Sequence, residues 1–410
     1  MGTLEQLGLA LTTPVRRRLE MLRRDLSMVG GRVVLGRRAP VLVDRSHAGA
    51  RAWAHTIPRR PVRVTRVVHE TDEASSFYLE EMDGSPIEFE AGQFLTFSVE
   101  VDGVTLRRAY SLASPQLPDE PRHVTVKRMP EGRVSHYLND HCAEGTILHV
   151  LGPSGNFLLP PLSGRPRHAV FIAGGSGITP VMSLLGTVLA TEPASRVTLI
   201  YGNRRREDII FAAQLAALRE RYGDRLRVDH VLNAPPRGWT GGEGLLDPPT
   251  LQQRFDALGL FGDTGPSDEE DVEVYLCGPS PMMQAAHEAL RARAVPAASI
   301  REERFTQPEA RTEARVYSTT PQPMSVQIRG LHADTVVKPG QTLLEAGLEG
   351  GIGLPFSCAM GGCGTCKVKL REGEVEMDEP NCLSAAEREA GYVLTCVGHA
   401  TGPCVIEVER

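Results

Sequence analysis

The chain has 410 residues, a net charge of −6 at pH 7 and 41% hydrophobic residues. At about 100–200 residues per domain this length predicts two or three domains, and no run approaches the roughly 18 apolar residues of a membrane-spanning helix. Its eight cysteines are too few for a disulfide scaffold, and the short apolar start precedes the arginines at Arg16–Arg18, opposite to a secretory signal. A globular, cytoplasmic protein is expected, and nothing in the chain points to nucleic acid as a partner.

Residues 1–60 form a basic extension with twelve arginines and four acidic residues, a charge of +8, so the remainder carries −14. A solvated or partly disordered arm accounts for this composition. The alternative is a segment that contacts a membrane surface or a partner protein. Either interpretation leaves the extension outside the folded domains.

Short alternating runs follow over residues 61–162, separated by turn residues such as "MDGSP" and "MPEGR". The runs are "VRVTRVVHE", "SSFYLEE", "FLTFSVEV", "HVTVKRM" and "ILHVLG". Many short strands at this spacing predict a small antiparallel β-barrel.

Residues 163–306 alternate strands with helices, beginning with the buried strand "HAVFIAGG" and the helix "PVMSLLGTVLA". This alternation predicts βαβ units around a parallel sheet. Residues 307–321 are then expected to be a linker. The last domain, 322–410, begins with a hairpin pattern and the short helix "TLLEAGLEG".

A cysteine loop follows that helix. Its spacing is Cys358-x4-Cys363-x2-Cys366, with Cys396 farther on, which is the plant-type arrangement for a [2Fe–2S] cluster. Glycines between the thiols allow the backbone to wrap closely around such a cluster. The alternatives are a zinc site, which favours two short paired spacings, and unligated thiols.

The last domain resembles a plant-type [2Fe–2S] ferredoxin in its cysteine spacing and in the preceding hairpin and helix. This resemblance implies a β-grasp fold and transfer of single electrons. Cys382 lies outside the four-ligand pattern and is interpreted as a packing residue.

The stretch "RAYSLAS" resembles the flavin motif of the ferredoxin–NADP reductase superfamily. By this resemblance Arg108 binds the pyrophosphate, Tyr110 lies against the isoalloxazine and Ser111 lies near its N5. The cofactor is then FAD, although the residues themselves leave FMN open. Taken alone, the stretch could be an ordinary strand.

Two further stretches match the same superfamily. In "GRVSHYL", Gly132, Val134 and Ser135 would open a helix whose N–H groups bind the diphosphate, and Lys127 would add positive charge. The run "GPSGNF" ends the predicted barrel. The order of these stretches along the chain supports the resemblance more strongly than any single stretch does.

The nicotinamide site is predicted from two glycine-containing turns. The first, "FIAGGSGITP", joins a strand to a helix, a place where glycines allow a phosphate cradle, although many α/β turns need glycine for other reasons. The second, "CGPSPMM", matches the superfamily's turn beside the nicotinamide, and a core-filling cysteine is the alternative. The residues predicted in these turns are Gly174, Gly175, Gly177, Thr179, Cys277, Gly278 and Pro279.

The choice of nucleotide is predicted at "YGNRRRED", after the second strand of this domain. Arg204 and Arg205 favour the 2′-phosphate of NADPH, and solvated surface arginines are the alternative. At the end of the domain, Glu303 and Phe305 match an E-x-F that approaches the flavin in some relatives, and a plain buried strand is the alternative.

Together the resemblance covers residues 61–410 and implies an oxygenase-type NAD(P)H reductase. Ser111, Thr179 and Cys277 are its expected catalytic residues, and Cys358, Cys363, Cys366 and Cys396 its cluster ligands. Electrons would pass from NAD(P)H through FAD and the cluster to a separate oxygenase, hydroxylase or desaturase. The competing hypothesis is an iron–sulfur sensor or carrier module without significant nicotinamide turnover.

Overall fold

Three large sheets, one two-stranded sheet and the helices packed on them make up the part of the chain that the structure describes. A computed structural model describes residues 59–101, 104–261, 271–305, 317–379 and 381–409, which all belong to the same contacting unit. Residues 1–58 of the basic extension and 307–316 of the predicted linker lie outside these ranges, as does residue 306. The predictions made for them therefore stay predictions.

The first sheet is antiparallel and six-stranded, with the order β4-β3-β6-β1-β2-β5. A bridge between Leu112 and Val124 joins the chain after β4 to β5, which closes the sheet into a barrel. Helix α1 (Arg133–His141) packs on the barrel core through Val134 and Leu138. The strands are β1 (Arg60–Thr71), β2 (Ala74–Glu81), β3 (Phe94–Val101), β4 (Val104–Ser111), β5 (His123–Lys127) and β6 (Ile147–Ser154).

The second sheet is parallel, with the order β10-β9-β8-β7-β11-β12 and an apolar core on each face. Its strands are β7 (Arg167–Gly174), β8 (Arg196–Asn203), β9 (Leu226–Leu232), β10 (Gly242–Glu243), β11 (Asp271–Cys277) and β12 (Ile300–Glu303). Its helices are α2 (Ile178–Thr191), α3 (Ala212–Tyr222), α4 (Pro248–Leu258) and α5 (Ser280–Ala292). The carboxyl ends of parallel strands share one edge, where ligands of such sheets bind.

The last sheet is mixed, with the order β14-β13-β19-β15-β17, and β13 runs parallel to β19. Helix α6 (Leu343–Glu349) begins with a reciprocal cap between Thr342 and Glu345 and buries its apolar side in this domain. The strands are β13 (Gln322–Ile328), β14 (Leu331–Val337), β15 (Lys367–Glu372), β16 (Val375–Met377), β17 (Tyr392–Leu394), β18 (Gly398–Ala400) and β19 (Cys404–Val408). A short helix α7 (Ala385–Glu389) precedes β17, and β16 pairs with β18.

The predicted fold class is confirmed: an antiparallel barrel, a parallel α/β domain and a ferredoxin-type domain follow one another. Two local boundaries are set by the backbone. Helix α3 begins at Ala212, because Phe211 adopts a left-handed φ of 64°. Cys396 lies in the turn beyond β17.

Candidate cofactor cavity and cysteine cluster

A cavity of about 210 Å³ is lined by residues of all three domains. Strand β4, the start of α1, the turn after β7, the end of β12 and the cysteine loop contribute to its walls. It therefore brings together segments that lie as far apart in the sequence as Phe94 and Cys363. The predicted site residues on its wall are Arg108, Tyr110, Ser111, Lys127, Gly132, Val134, Ser135, Thr179, Phe305, Cys358 and Cys363.

The barrel wall of the cavity is strand β4. The Tyr110 ring packs edge-on against Phe97, with 5.4 Å between ring centroids, and burial raises the pKa of Tyr110. Burial also lowers the pKa of Arg108, whose Nη1 donates to the backbone carbonyl of Arg107 at 2.7 Å. A guanidinium remains protonated in proteins, so the strand presents a positive charge and a neutral phenol to the cavity.

The start of α1 lines the cavity at Gly132, a position where the turn has room only for glycine. A Cβ on Gly132 would lie 2.5 Å from Ser135 Oγ and 2.9 Å from Met129 Cβ. Ser135 Oγ instead donates to the Gly132 carbonyl at 2.9 Å and accepts from the Met129 N–H at 3.1 Å. The first turn of the helix contains no acidic residue. Such a helix start favours an anionic group.

Lys127 adds a second cationic side chain to this wall. Its Nζ lies 3.8 Å from where a Cβ of Gly175 would stand. With Arg108 it gives the cavity two positive charges near the helix start. This combination fits a diphosphate.

The two glycine-containing turns of the parallel domain interlock. A Cβ on Gly177 would lie 2.0 Å from the Cys277 carbonyl oxygen, and one on Gly174 would lie 2.9 Å from Pro279 Cδ. Thr179 Oγ1 donates to the Ser176 carbonyl at 3.0 Å, which fixes its position at the cavity wall. Only glycine therefore allows the turns to approach this closely.

Cys277 lies behind this wall rather than on it. The side chain is fully buried, and burial, followed by the neighbouring Glu303 carboxyl, raises the pKa of its thiol well above the ordinary value. Gly174, Gly175, Gly177, Gly278 and Pro279 shape the turns without lining the cavity. Burial thus keeps this thiol neutral, and its predicted place beside the nicotinamide stays a prediction.

Glu303 faces the cavity at the end of β12 and approaches the barrel. Ser111 Oγ donates to Glu303 Oε2 across 3.4 Å. Burial raises the pKa of Glu303 to about 8, so this carboxyl keeps its proton at neutral pH. Phe305, two residues on, also lines the cavity and is 40% exposed.

The four predicted cluster cysteines meet in the last domain. Cys366 Sγ lies 3.2 Å from Cys396 Sγ, and the Cys358 N–H points at Cys363 Sγ across 3.5 Å. Thiol–thiol hydrogen bonds lower the pKa values of Cys358 and Cys366 and raise those of Cys363 and Cys396. The four sulfurs therefore form one compact group.

The donor set fits a two-iron cluster better than a mononuclear metal. Three of the cysteines lie on one loop and the fourth is solitary, whereas a zinc site favours two short pairs. A structural zinc ion needs four ligands around one point. A [2Fe–2S] cluster spreads four thiolates over two irons.

The backbone of the cysteine loop is held close to the thiols. Gly361, with a φ of 78°, donates its N–H to Cys396 Sγ at 3.1 Å, and Gly364 has a φ of 70°. Backbone donors of this kind stabilise thiolates and tune clusters. Two of the three glycines between the thiols thus have the left-handed conformation that this wrapping requires, whereas Gly362 does not have a positive φ.

The cysteine loop also borders a second, larger cleft of about 620 Å³. Cys363 lines both the cavity and this cleft, and Cys382 lines the cleft alone. Burial raises the pKa of the Cys382 thiol to about 11, which agrees with a packing role. One cysteine is thus accessible from two sides.

Several wall residues carried no separate prediction. Asn156 and Phe157 belong to the quoted "GPSGNF" run, and Ser176 to "GGSG", so their motifs could have indicated them. Met360 and Arg304 carried no signal, because their place depends on how the domains pack. Arg204 and Arg205 lie outside the cavity, on the exposed turn after β8.

Three family models match the chain in the order of its domains. "Oxidoreductase FAD-binding domain" matches residues 62–158, "Oxidoreductase NAD-binding domain" residues 171–288, and "2Fe-2S iron-sulfur cluster binding domain" residues 326–401. Fold, cavity and cysteine cluster thus define a flavin- and iron–sulfur-containing oxidoreductase that uses a nicotinamide nucleotide.

Characterised relatives cover most of the chain. It is 36% identical to one of the subunits of 1,2-phenylacetyl-CoA epoxidase from Escherichia coli over 312 residues, 75% of this chain and 85% of that one. It is 36% identical to the ferredoxin reductase component of 3-ketosteroid-9-alpha-monooxygenase from Mycobacterium tuberculosis over 350 residues, which are 82% of this chain and 91% of that one. It is 30% identical to the glycine betaine monooxygenase reductase subunit of Pseudomonas aeruginosa over 369 residues, which are 87% of this chain and 96% of that one. The chain belongs to this family of reductase components with FAD-binding, NAD-binding and 2Fe–2S domains.

Solved structures agree with this fold. Phthalate dioxygenase reductase, at 24% identity, superposes with a TM-score of 0.58 over 85% of this chain and 98% of its own. CYP116B46 from Tepidiphilus thermophilus, at 26% identity, superposes with a TM-score of 0.59 over 92% of this chain and 45% of its own. None of the helices in the described ranges is long and apolar enough to cross a membrane.

Proposed function

We propose that the chain carries electrons from NAD(P)H to a separate acceptor protein, with FAD in the three-domain cavity and a [2Fe–2S] cluster on the four cysteines. The supporting observation is that one cavity is lined both by Arg108 and Tyr110 and by Cys358 and Cys363. A flavin held by the first pair would face the ligands of the cluster. When bound, FAD takes two electrons from the nucleotide and the cluster passes them on singly.

Cationic and helix-terminal groups bind the flavin in this proposal. Arg108 and Lys127 attract the diphosphate, and the first turn of α1, from Gly132 to Ser135, donates its N–H groups to it. Tyr110 forms an apolar wall for the ring system. Ser111 supplies a hydroxyl that Glu303 orients.

The parallel domain positions the nucleotide. The interlocked turns at Gly177 and Cys277 form its cradle, and Thr179 directs a fixed hydroxyl side chain toward the cavity. Positioning of two reacting groups supplies most of the acceleration in such a transfer. Glu303 keeps a proton next to the site at neutral pH, so the cavity carries no negative charge from this carboxyl.

In the last domain Cys358, Cys363, Cys366 and Cys396 would hold the cluster, and the N–H of Gly361 would stabilise the Cys396 thiolate. We assign the FAD-binding barrel to residues 61–162, the NAD(P)-binding domain to 163–306 and the cluster domain to 322–410. Sequence patterns and the strand bounds support this division.

The acceptor is proposed to be an oxygenase, hydroxylase or desaturase. The relatives support this class, since they are a component of an epoxidase and the reductase components of two monooxygenases. The exposure of Cys363 to the second cleft gives a docked protein an approach to the cluster that does not pass through the flavin cavity.

An anaerobic titration of the full chain tests this function. NADPH or NADH is added while the visible spectrum is recorded, and bleaching of both flavin and iron–sulfur bands is expected, together with rapid reduction of an artificial one-electron acceptor. If the iron–sulfur bands are present but neither nucleotide reduces them, the proposal is wrong and the sensor or carrier hypothesis replaces it.

Residues 1–60 are proposed to make peripheral contact with a membrane surface or with the acceptor. Their charge of +8 supports this role. Deleting residues 1–55 should abolish co-sedimentation with anionic liposomes if the membrane is the target. Unchanged sedimentation would contradict membrane contact through this segment.

A further inference from the structure

The turn that follows β8 contains three consecutive arginines and two acids. In a nucleotide-binding domain of this type, the end of the second parallel strand lies next to the ribose that carries the 2′-phosphate of NADPH. Here that strand is β8, which ends at Asn203, and the turn spans Arg204 to Asp208. The whole turn lies within the match to the NAD-binding family model.

Arg205 is already bound to a carboxylate within this turn. Its Nε and Nη2 donate to the two carboxylate oxygens of Asp208 at 3.4 and 3.3 Å, and its backbone N–H donates to Asp208 Oδ2 at 3.1 Å. Nε and Nη2 form one of the edges by which a guanidinium binds a phosphate in bidentate fashion. Asp208 thus occupies the groups that a 2′-phosphate would use.

The charges around the turn also cancel. Arg204, Arg205 and Arg206 are opposed by Glu207 and Asp208 and by Asp72, in the turn between β1 and β2 of the barrel. The pKa of Arg205 is raised, first by hydrogen bonding to Asp208 and then by the charges of Asp208, Glu207 and Asp72. The charge of Asp72 in the barrel therefore acts on Arg205. A run of three arginines therefore creates no net positive site.

We propose that Asp208 is a specificity-determining residue, which holds Arg205 in the turn and so removes the advantage that the arginines would give NADPH over NADH. This inference rests on the proposed function only in taking the domain to bind a nicotinamide nucleotide. It modifies the preference for NADPH that the arginines alone predict, because the charge state of the turn depends on its acids as well.

The test is the ratio of the dissociation constants of NADP⁺ and NAD⁺, measured by calorimetry on the full, cofactor-loaded chain. The wild-type chain should bind the two nucleotides with constants that differ by less than about tenfold. In Asp208→Asn the side-chain oxygen still accepts the Arg205 N–H, while the charge that holds the guanidinium is lost. NADP⁺ should then bind about tenfold more tightly relative to NAD⁺.

A double variant and a matched control identify the cause. Arg205→Gln in the Asp208→Asn background should return the ratio to the wild-type value, because the released guanidinium carries the gain. Asp224→Asn removes one exposed acid at the opposite edge of the sheet, before β9, and should leave the ratio unchanged. An unchanged ratio in Asp208→Asn, or an equal change in Asp224→Asn, would overturn the proposal.

These measurements use equilibrium binding and need no turnover. A chain that binds both nucleotides but reduces no acceptor would contradict the proposed function and leave the inference about Asp208 testable. A chain that turns over normally but whose Asp208→Asn variant keeps its binding ratio would contradict the inference alone.

Discussion

Ser111 and Glu303 lie 192 residues apart in the sequence, yet Ser111 Oγ donates to Glu303 Oε2 across 3.4 Å. The contact joins the barrel to the last strand of the parallel sheet, at the wall of the shared cavity. It places a carboxyl of raised pKa beside a residue of the flavin motif. This arrangement and its neighbours in the site lead to four predictions.

The first prediction concerns the pH dependence of stability. The pKa of Glu303 is about 8 in the folded chain, against an ordinary value of 4.5, because the surrounding protein desolvates this half-buried carboxyl. Between about pH 4.5 and 8 an unfolded chain ionises at this residue while the folded chain keeps the proton, so rising pH destabilises the fold, and the effect levels off above pH 8. Glu303→Gln should flatten the fall of the thermal midpoint across this window.

Glu220→Gln is the matched control for this measurement. Glu220 is an exposed residue of helix α3, away from the cavity. Its replacement should leave unchanged the fall of the thermal midpoint with pH between pH 5 and 8. If Glu303→Gln keeps the wild-type slope, the buried carboxyl is not the group that titrates.

The second prediction concerns the close approach of the two turns. In Gly177→Ala the new Cβ would lie 2.0 Å from the Cys277 carbonyl oxygen, so the turns must separate. Overpacking of this kind costs on the order of 1–3 kcal/mol. The thermal midpoint should fall and NAD⁺ binding should weaken, as measured by scanning fluorimetry and calorimetry. Gly402→Ala, where no atom lies within 4 Å, should have neither effect.

The third prediction concerns the cluster ligands. Cys363→Ser should lower iron and sulfide content and remove the [2Fe–2S] bands, because a cluster with four thiolate ligands loses one of them. Cys382→Ser should keep both, although Cys382 and Cys363 line the same cleft. Iron and sulfide assays of the two purified variants check this expectation. Normal iron content in Cys363→Ser, or its loss in Cys382→Ser, would contradict the ligand assignment.

The fourth prediction concerns flavin affinity. Lys127→Gln should weaken FAD binding about tenfold, because a cation facing the diphosphate is lost. Arg128→Gln removes the same charge from the next residue, which is paired with Asp140 at 2.7 Å. Fluorescence titration of the flavin-free chain measures both affinities. Equal losses in the two variants would show that net charge, rather than contact by Lys127, is responsible.

The sequence by itself determined the features that depend on neighbouring residues. The spacing of Cys358, Cys363 and Cys366 predicted a compact thiol group, and the structure places these thiols together with that of Cys396. Strand and helix periods predicted the three domains in order, because amphipathic patterns follow from backbone geometry. Glycines in the turns were recognisable because few other residues permit such close approach.

Only the tertiary structure decided which distant groups meet. The contact of Gly177 with the Cys277 carbonyl, the Ser111–Glu303 hydrogen bond and the proximity of Asp72 to Arg205 join separate elements or domains. No spacing rule encodes such contacts, since they follow from how domain surfaces pack and how much water they exclude. Burial, in turn, set the pKa of Glu303, and neighbouring carboxylates set the charge around Arg205.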